Sequence, residues 1–205
     1  MINKYIVFGI ILNIITFAYL PGANADYKKG SRPINASINA TGNGSVNAGA
    51  WHQFVLGKQR QYEAEHTLER SPFPQTISDS NIIKVNLSLL AWGAYDGNGN
   101  LVRWGNASGG KSFCPDIGKA CKTVTGTYTI YNKKGSGCKS NLFPVPRGGA
   151  PMPYCMHFQG GYALHGGAVP DFNASHGCVR VPPFEAKWLN QNFVTVGKTR
   201  INITY

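Results

Sequence analysis

The chain has 205 residues, with 20 basic against 9 acidic side chains and a formal net charge of +11. That length holds one domain of ordinary size with a real core. The Lys and Arg stand singly or in short pairs such as Lys28-Lys29 and Lys133-Lys134, with no basic helix and no RNA-binding aromatic motif. This sets nucleic acid aside and leaves an anionic envelope surface as the partner that suits the charge.

The N-terminus reads "MINKYIVFGIILNIITFAYLPGANAD": one lysine, an apolar run from Tyr5 to Leu20, a Pro-Gly break and Ala23-Asn24-Ala25. This is the layout of a secretory signal peptide cleaved after Ala25. A membrane anchor fits less well, because the run is short for a bilayer span of roughly 20 residues and Asn13 interrupts it. The expected site of action is therefore outside the cytoplasm, in the periplasm, the cell envelope or the medium. Loss of Lys4 leaves a mature charge of 19 − 9 = +10.

Residues 26–80 form a leader. Its first half, to about residue 50, is rich in Asn, Gly, Ser and Ala and too poor in large apolar side chains to offset the entropy of ordering. Within 51–80, Phe54, Val55, Gln61, Tyr62 and Leu68 make a weak helical stripe ahead of Pro72 and Pro74, so a short extra helix is expected there. His52 and His66 read as surface residues.

From residue 81 the period changes to two. "IIKVNLSLLAWGAYD", the turn "GNGN" and "LVRWGNASGG" predict a β-hairpin, and "TVTGTYTIYNKK" a further strand. "MPYCMHFQGGYALHGG" supplies two short strands about a Gly-Gly turn. "PPFEAKWLNQNF" carries Phe184, Trp188, Leu189 and Phe193 at helical spacing, and "TRINITY" closes as a strand. Residues 81–205 are thus expected to be a mainly β domain, a sandwich with one late helix.

Five cysteines are an odd number for an exported chain. If Cys114, Cys121, Cys138 and Cys155 make two disulfides, three pairings are open. Cys114 with Cys121, closing a short loop through Pro115 and Asp116, and Cys138 with Cys155 are favoured. Cys178 is then left over. The alternative is that Cys178 takes one of the four and another thiol is spare.

The stretch "LHGGAVPDFNASHGCVRVP" surrounds Cys178 with His165, His176 and Arg180 in a Gly-rich run. Metal sites usually show closely spaced ligand pairs, and none accompanies these residues, so no metal is expected. A nucleophilic thiol needs a base and oxyanion donors. His165, at the end of a strand, is the candidate base, since imidazole titrates near neutrality. Gly177 and Cys178 offer backbone N–H groups to an oxyanion, and His176 is assigned support of the loop.

These residues carry a resemblance. "HG" followed by "SHGCVR" resembles the signature of the L,D-transpeptidase catalytic domain, the YkuD-like family, and the strands over 81–205 look like that family's hairpin, M-P-Y strand and histidine strand. The resemblance implies a β-sandwich enzyme that acts on peptidoglycan stem peptides outside the membrane without a cofactor. Cys178 would attack the bond after the third stem residue, release D-alanine and form a thioester, with His165 as base. A stem amine, a lipoprotein or water would then accept the acyl group. Arg180, Ser175, Gly166 and Tyr154 would line the substrate site. The sequence departs from the family in its short His165-to-Cys178 spacing, in Val124-Thr125 where a proline is usual, in Gly166-Gly167, and in its four additional cysteines. The other readings are an L,D-carboxypeptidase and a non-catalytic envelope or host-contact protein that keeps the fold.

Overall fold

The structure, a computed structural model, describes residues 48–205, which lie within one compact unit, Val46–Tyr205. The expected signal peptide and most of the Asn-rich leader lie outside the described residues.

The first sheet starts as a three-strand meander, β1 (Ile82–Asn86), β2 (Ala91–Tyr95) and β3 (Leu101–Asn106), each antiparallel to the next. The run expected as one hairpin arm is two strands. Leu87, Leu89 and Leu90 continue its apolar character, but Asn86 Oδ1 accepts the N–H groups of Ser88 and Leu89 at 3.0 and 2.9 Å, and Leu90 takes φ +53°. That side-chain turn breaks the extended backbone. The turn after β2 is built the same way, with Asp96 Oδ1 accepting Asn98 and Asn100 N–H, both at 2.9 Å.

β4 (Gly126–Thr129) and β5 (Asn132–Lys133) also divide a stretch expected as one strand. They belong to different sheets. Buried Ile130 sits at the crossing, its N–H bonded to Thr199 O while Tyr131 N–H reaches His157 O. The first sheet has the order β3-β2-β1-β9-β4, and the last strand, β9 (Arg200–Thr204), lies parallel to β1 in its interior.

The second sheet is β5-β6-β7-β8, from β6 (Met156–Gln159), β7 (Tyr162–Gly166) and β8 (Val179–Val181). Its β6–β7 hairpin turns at Gly160-Gly161, as expected, and β7 and β8 run parallel. The sheets bury Ile83, Val85, Trp92, Ile201 and Ile203 of one against Met156, Phe158, Leu164, Val179 and Val181 of the other. At roughly 1.5–3 kcal/mol for each large side chain, this layer is the main stabilising term. The outer face of the first sheet is also closed: Ile82, Tyr95 and Leu101 pack under Phe73 and Ile77, which is why β2 is buried at all five positions. The mainly β, two-sheet arrangement with a late helix matches the expectation.

That helix, α2 (Pro183–Trp188), begins with proline at its first turn and passes into one π turn, Leu189–Phe193. Lys133 Nζ donates to Asn190 O and Val194 O at 2.7 and 2.8 Å, which satisfies carbonyls at the turn's end. Glu185 of α2 is buried and held by Arg103 of β3 at 2.7 Å. Ahead of the sheets stands α1 (Ala48–Glu65). Of the stripe expected there, Phe54, Val55, Gln61 and Leu68 are exposed and only Tyr62 turns inward, so contact is made at the helix's last turns. There Tyr62 Oη accepts Asn106 N–H at 2.8 Å and its ring meets Phe184 edge-on. His66, expected at the surface, is half-buried, with its ring stacked on Tyr62 and tilted against Trp104.

Candidate active site

The parallel register of β7 and β8 brings the chemistry together. His165 pairs with Arg180 and Leu164 with Val179, so Cys178, one residue before β8, falls beside Ala163. Side chains alternate along a strand, so Ala163, His165, Cys178 and Arg180 share one face while Leu164, Val179 and Val181 point to the core. The same alternation across β6 puts His157, the partner of Ala163, on the site face. Of these, His157, His165, Cys178 and Arg180 line a cavity of about 650 Å³ together with Tyr162, Ser175, His176 and Gly167.

Both favoured disulfides are present, Cys114–Cys121 and Cys138–Cys155, and Cys178 is the free cysteine. Cys178 packs on Cys138, Cys155, Met152 and Ala163. Burial pushes its thiol up, against smaller lowering effects from the Ala163 backbone and Arg180. His165 is 5% exposed, and its Nδ1 lies 2.9 Å from Gly166 O. A carbonyl can only accept, so Nδ1 carries the proton and Nε2 keeps its lone pair. Burial is the main cause that holds the His165 pKa down to about 4; the Gly166 bond opposes it, and Arg180 and His157 add to it. At neutral pH the pair is therefore a thiol and a neutral imidazole.

The loop before the thiol is built around Ser175. Its Oγ donates to Cys178 O at 2.6 Å and accepts Gly177 N–H at 3.0 Å. Two expectations change as a result. Ser175 lines the cavity, but its hydroxyl is occupied within the loop; and of the two N–H groups expected to face an oxyanion, that of Gly177 is committed to Ser175 Oγ. Gly177 has φ +121°, and a Cβ there would lie 2.6 Å from Tyr162 Cε1, so only glycine fits the turn. The loop is tied to the chain after β3 by paired backbone bonds between Ser108 and Arg180 and by Asn173 Oδ1 accepting Gly109 N–H at 2.7 Å.

His176, expected to support the loop, reaches across to the chain around the first disulfide. Its Nε2 meets Asp116 Oδ2 at 2.7 Å, and its ring lies against Phe143. Asp116 sits in the loop closed by Cys114–Cys121, and its carboxyl is held below the ordinary value first by the bond to His176. Cys114 Sγ, Asp116 and His176 form the one group of possible metal donors among the described residues. Cys114 Sγ is already bonded to Cys121, so two donors remain, too few for a metal centre.

Gly166 and Tyr154 do not line the cavity. Gly166 is held by its N–H to Pro153 O and orients His165 through its carbonyl; a Cβ there would come 3.0 Å from Pro183 Cα. Tyr154 takes φ +58° and packs against the main core. Gly167, Met152 and His157 occupy the wall instead. His157 was legible in principle, because period two along "MPYCMHFQ" places it on the site face once the β6–β7 register is known.

Residues 80–203 match the sequence model described as the YkuD L,D-transpeptidase catalytic domain, which is more than half of the chain. None of the curated proteins matches. Among solved structures, an L,D-transpeptidase from Xylanimonas cellulosilytica is 27% identical with a TM-score of 0.53, over 64% of this chain and 64% of that one. One from Stackebrandtia nassauensis is 19% identical with a TM-score of 0.51, over 71% and 63%. One from Enterococcus faecium is 21% identical with a TM-score of 0.50, over 61% and 50%. The chain thus spans between half and two thirds of these solved chains, and the last two similarities speak for the fold alone.

Proposed function

The chain belongs to the L,D-transpeptidase catalytic domain family, and from that premise we propose that it is an exported acyltransferase acting on peptidoglycan stem peptides. The observation that carries this reading is the shared face of β7 and β8, where the free thiol Cys178 and the neutral, Nδ1-protonated His165 line one cavity. His165 Nε2 takes the thiol proton as Sγ bonds to the carbonyl carbon after the third stem residue. The Cys178 N–H donates to the developing oxyanion. Collapse breaks the C–N bond, the proton passes to the leaving D-alanine amine, and a thioester remains. An amine of a neighbouring stem then displaces the thiol and forms a cross-link. A lipoprotein amine or water in that place gives an anchored protein or a trimmed stem.

Export is supported by the signal-like N-terminus and by two disulfides that suit an oxidising compartment. The periplasm or envelope is the proposed location, and the positive charge suits an anionic surface there.

Intact mass after incubation with a carbapenem and assay on tetrapeptide stems test the reading. The wild type should gain one adduct at Cys178 and release D-alanine, and Cys178→Ala should do neither. Survival of either activity in the variant would refute the assignment of the nucleophile. Cross-linked dimer among the products marks transfer, and free tripeptide alone marks a carboxypeptidase.

A further inference from the structure

Among the described residues, the Lys, Arg, Asp and Glu side chains that line the cavity are all cationic. Lys119, Lys134, Lys139 and Arg180 line it, and neither Asp nor Glu does. Among the described residues, none of these four cations enters an ion pair; the carboxylates that are paired are Asp79, Glu63, Glu185 and Asp116, matched with Lys84, Arg200, Arg103 and His176. The Asp116 carboxylate behind His176 offsets at most one of the four. Arg180 is placed by the strand register next to His165 and two residues beyond the nucleophile. Lys134 follows β5 with its N–H bonded to Cys155 O, and Lys139 bridges to Pro151, so both stem from backbone fastened at the Cys138–Cys155 end of the cavity. In the same wall His157 Nδ1 is buried without a hydrogen-bond partner among the described residues, a position that a bound peptide can fill.

Like charges gathered in a partly enclosed cleft repel one another and focus a positive potential on whatever enters it. The arrangement is favourable only when the occupant brings the opposite charge. We infer that the donor site selects a peptide that carries several free carboxylates, held by Lys134, Lys139 and Arg180, over the same peptide with those carboxylates amidated. This rests on the acyl-transfer reading of the site and adds a specificity to it. A phosphate-rich polymer would answer the same charge, but these cations line the cavity of the thiol, where a peptide must lie for its carbonyl to reach Sγ.

The test compares two synthetic tetrapeptide stems, identical except that the side-chain carboxylates of one are amides, with D-alanine release read on the full mature chain. The free-acid stem is expected to have a KM lower by about fivefold to tenfold at low salt, since the lysines are exposed and solvent screens part of their attraction. The ratio should shrink towards one in about 1 M salt, where the Debye length is about 3 Å. It should shrink equally in Lys134→Gln/Lys139→Gln. Equal KM values for the two stems, a preference for the amide, or a ratio indifferent to salt and to the lysines would overturn the inference. If neither stem turns over, the acyl-transfer reading fails by itself. Titration of the same two peptides against Cys178→Ala still decides the inference: a gap of about fivefold in Kd upholds it and equal affinities refute it. Competition by inorganic polyphosphate with no difference between the stems would assign the cations to a polymer and overturn it as well.

Discussion

Acylation of Cys178 should keep its rate well below the pH at which an ordinary histidine loses its basicity. His165 has a pKa held down to about 4 from an ordinary 6.5, chiefly by burial, and its Nδ1 proton is fixed on Gly166 O. Its lone pair therefore stays available through the range in which a solvated imidazole becomes charged. The acid limb of the acylation rate should lie near pH 4. The same shift carries a stability term of about 3 kcal/mol, from about 1.36 kcal/mol per unit. The sign follows from proton uptake. The folded pKa is the lower one, so between 6.5 and about 4 the unfolded chain binds the extra proton. The fold keeps its full stability above the unfolded value, loses it as pH falls through this window, and loses no more from this group below it. Intact-mass kinetics with a carbapenem from about pH 4 to about pH 9 give the profile, with circular dichroism at each pH to separate unfolding from titration. Alkylation by iodoacetamide reads the thiol independently, and its rate should still be rising beyond the ordinary thiol range, because burial pushes Cys178 up. An acid limb near 6.5, or a thiolate already formed at neutral pH, would refute the neutral-pair reasoning.

The loop that presents the thiol should be sensitive to small changes. Ser175→Ala removes the acceptor of Gly177 N–H and the donor to Cys178 O; the expected cost is about 1–3 kcal/mol in denaturant unfolding, with slower acylation, and an unchanged rate would show that the serine does not position the thiol. Gly177→Ala places a Cβ 2.6 Å from Tyr162 Cε1 at φ +121°. It should lower Tm by the equivalent of about 1–3 kcal/mol, and adding Tyr162→Ala should recover only the steric part. Away from the site, Arg103→Met leaves the buried Glu185 carboxyl without its partner and should cost about 3–5 kcal/mol, whereas Arg103→Met/Glu185→Leu should regain most of it. A single variant as stable as the wild type would show the pair to be dispensable.

Part of this protein is decided within short stretches of sequence. "SHGCVR" contains the proposed nucleophile and the serine whose hydroxyl closes the turn three residues away. Asn86 and Asp96 make their turns from their own side chains, and the Gly160-Gly161 hairpin needs nothing distant. That one of five cysteines is spare follows from arithmetic once two disulfides are allowed, the residues around Cys178 favour it as the spare one, and the short Cys114–Cys121 loop makes a local pairing. Such features rest on bonds between near neighbours, so local chemistry specifies them. Tertiary structure decided what depends on register between distant strands. The parallel pairing of β7 with β8 puts His165 and Cys178 on one face, and the hairpin of β6 with β7 adds His157. The meeting of His176 with Asp116 depends on a loop 60 residues away. Gly166 and Tyr154 illustrate the same limit: a motif names residues near the site, but the pleat and the packing choose which of them face the cavity. The physical reason is that residue type and spacing carry local hydrogen bonding and burial preference, whereas the side of a sheet a residue occupies is set by pairing partners far along the chain.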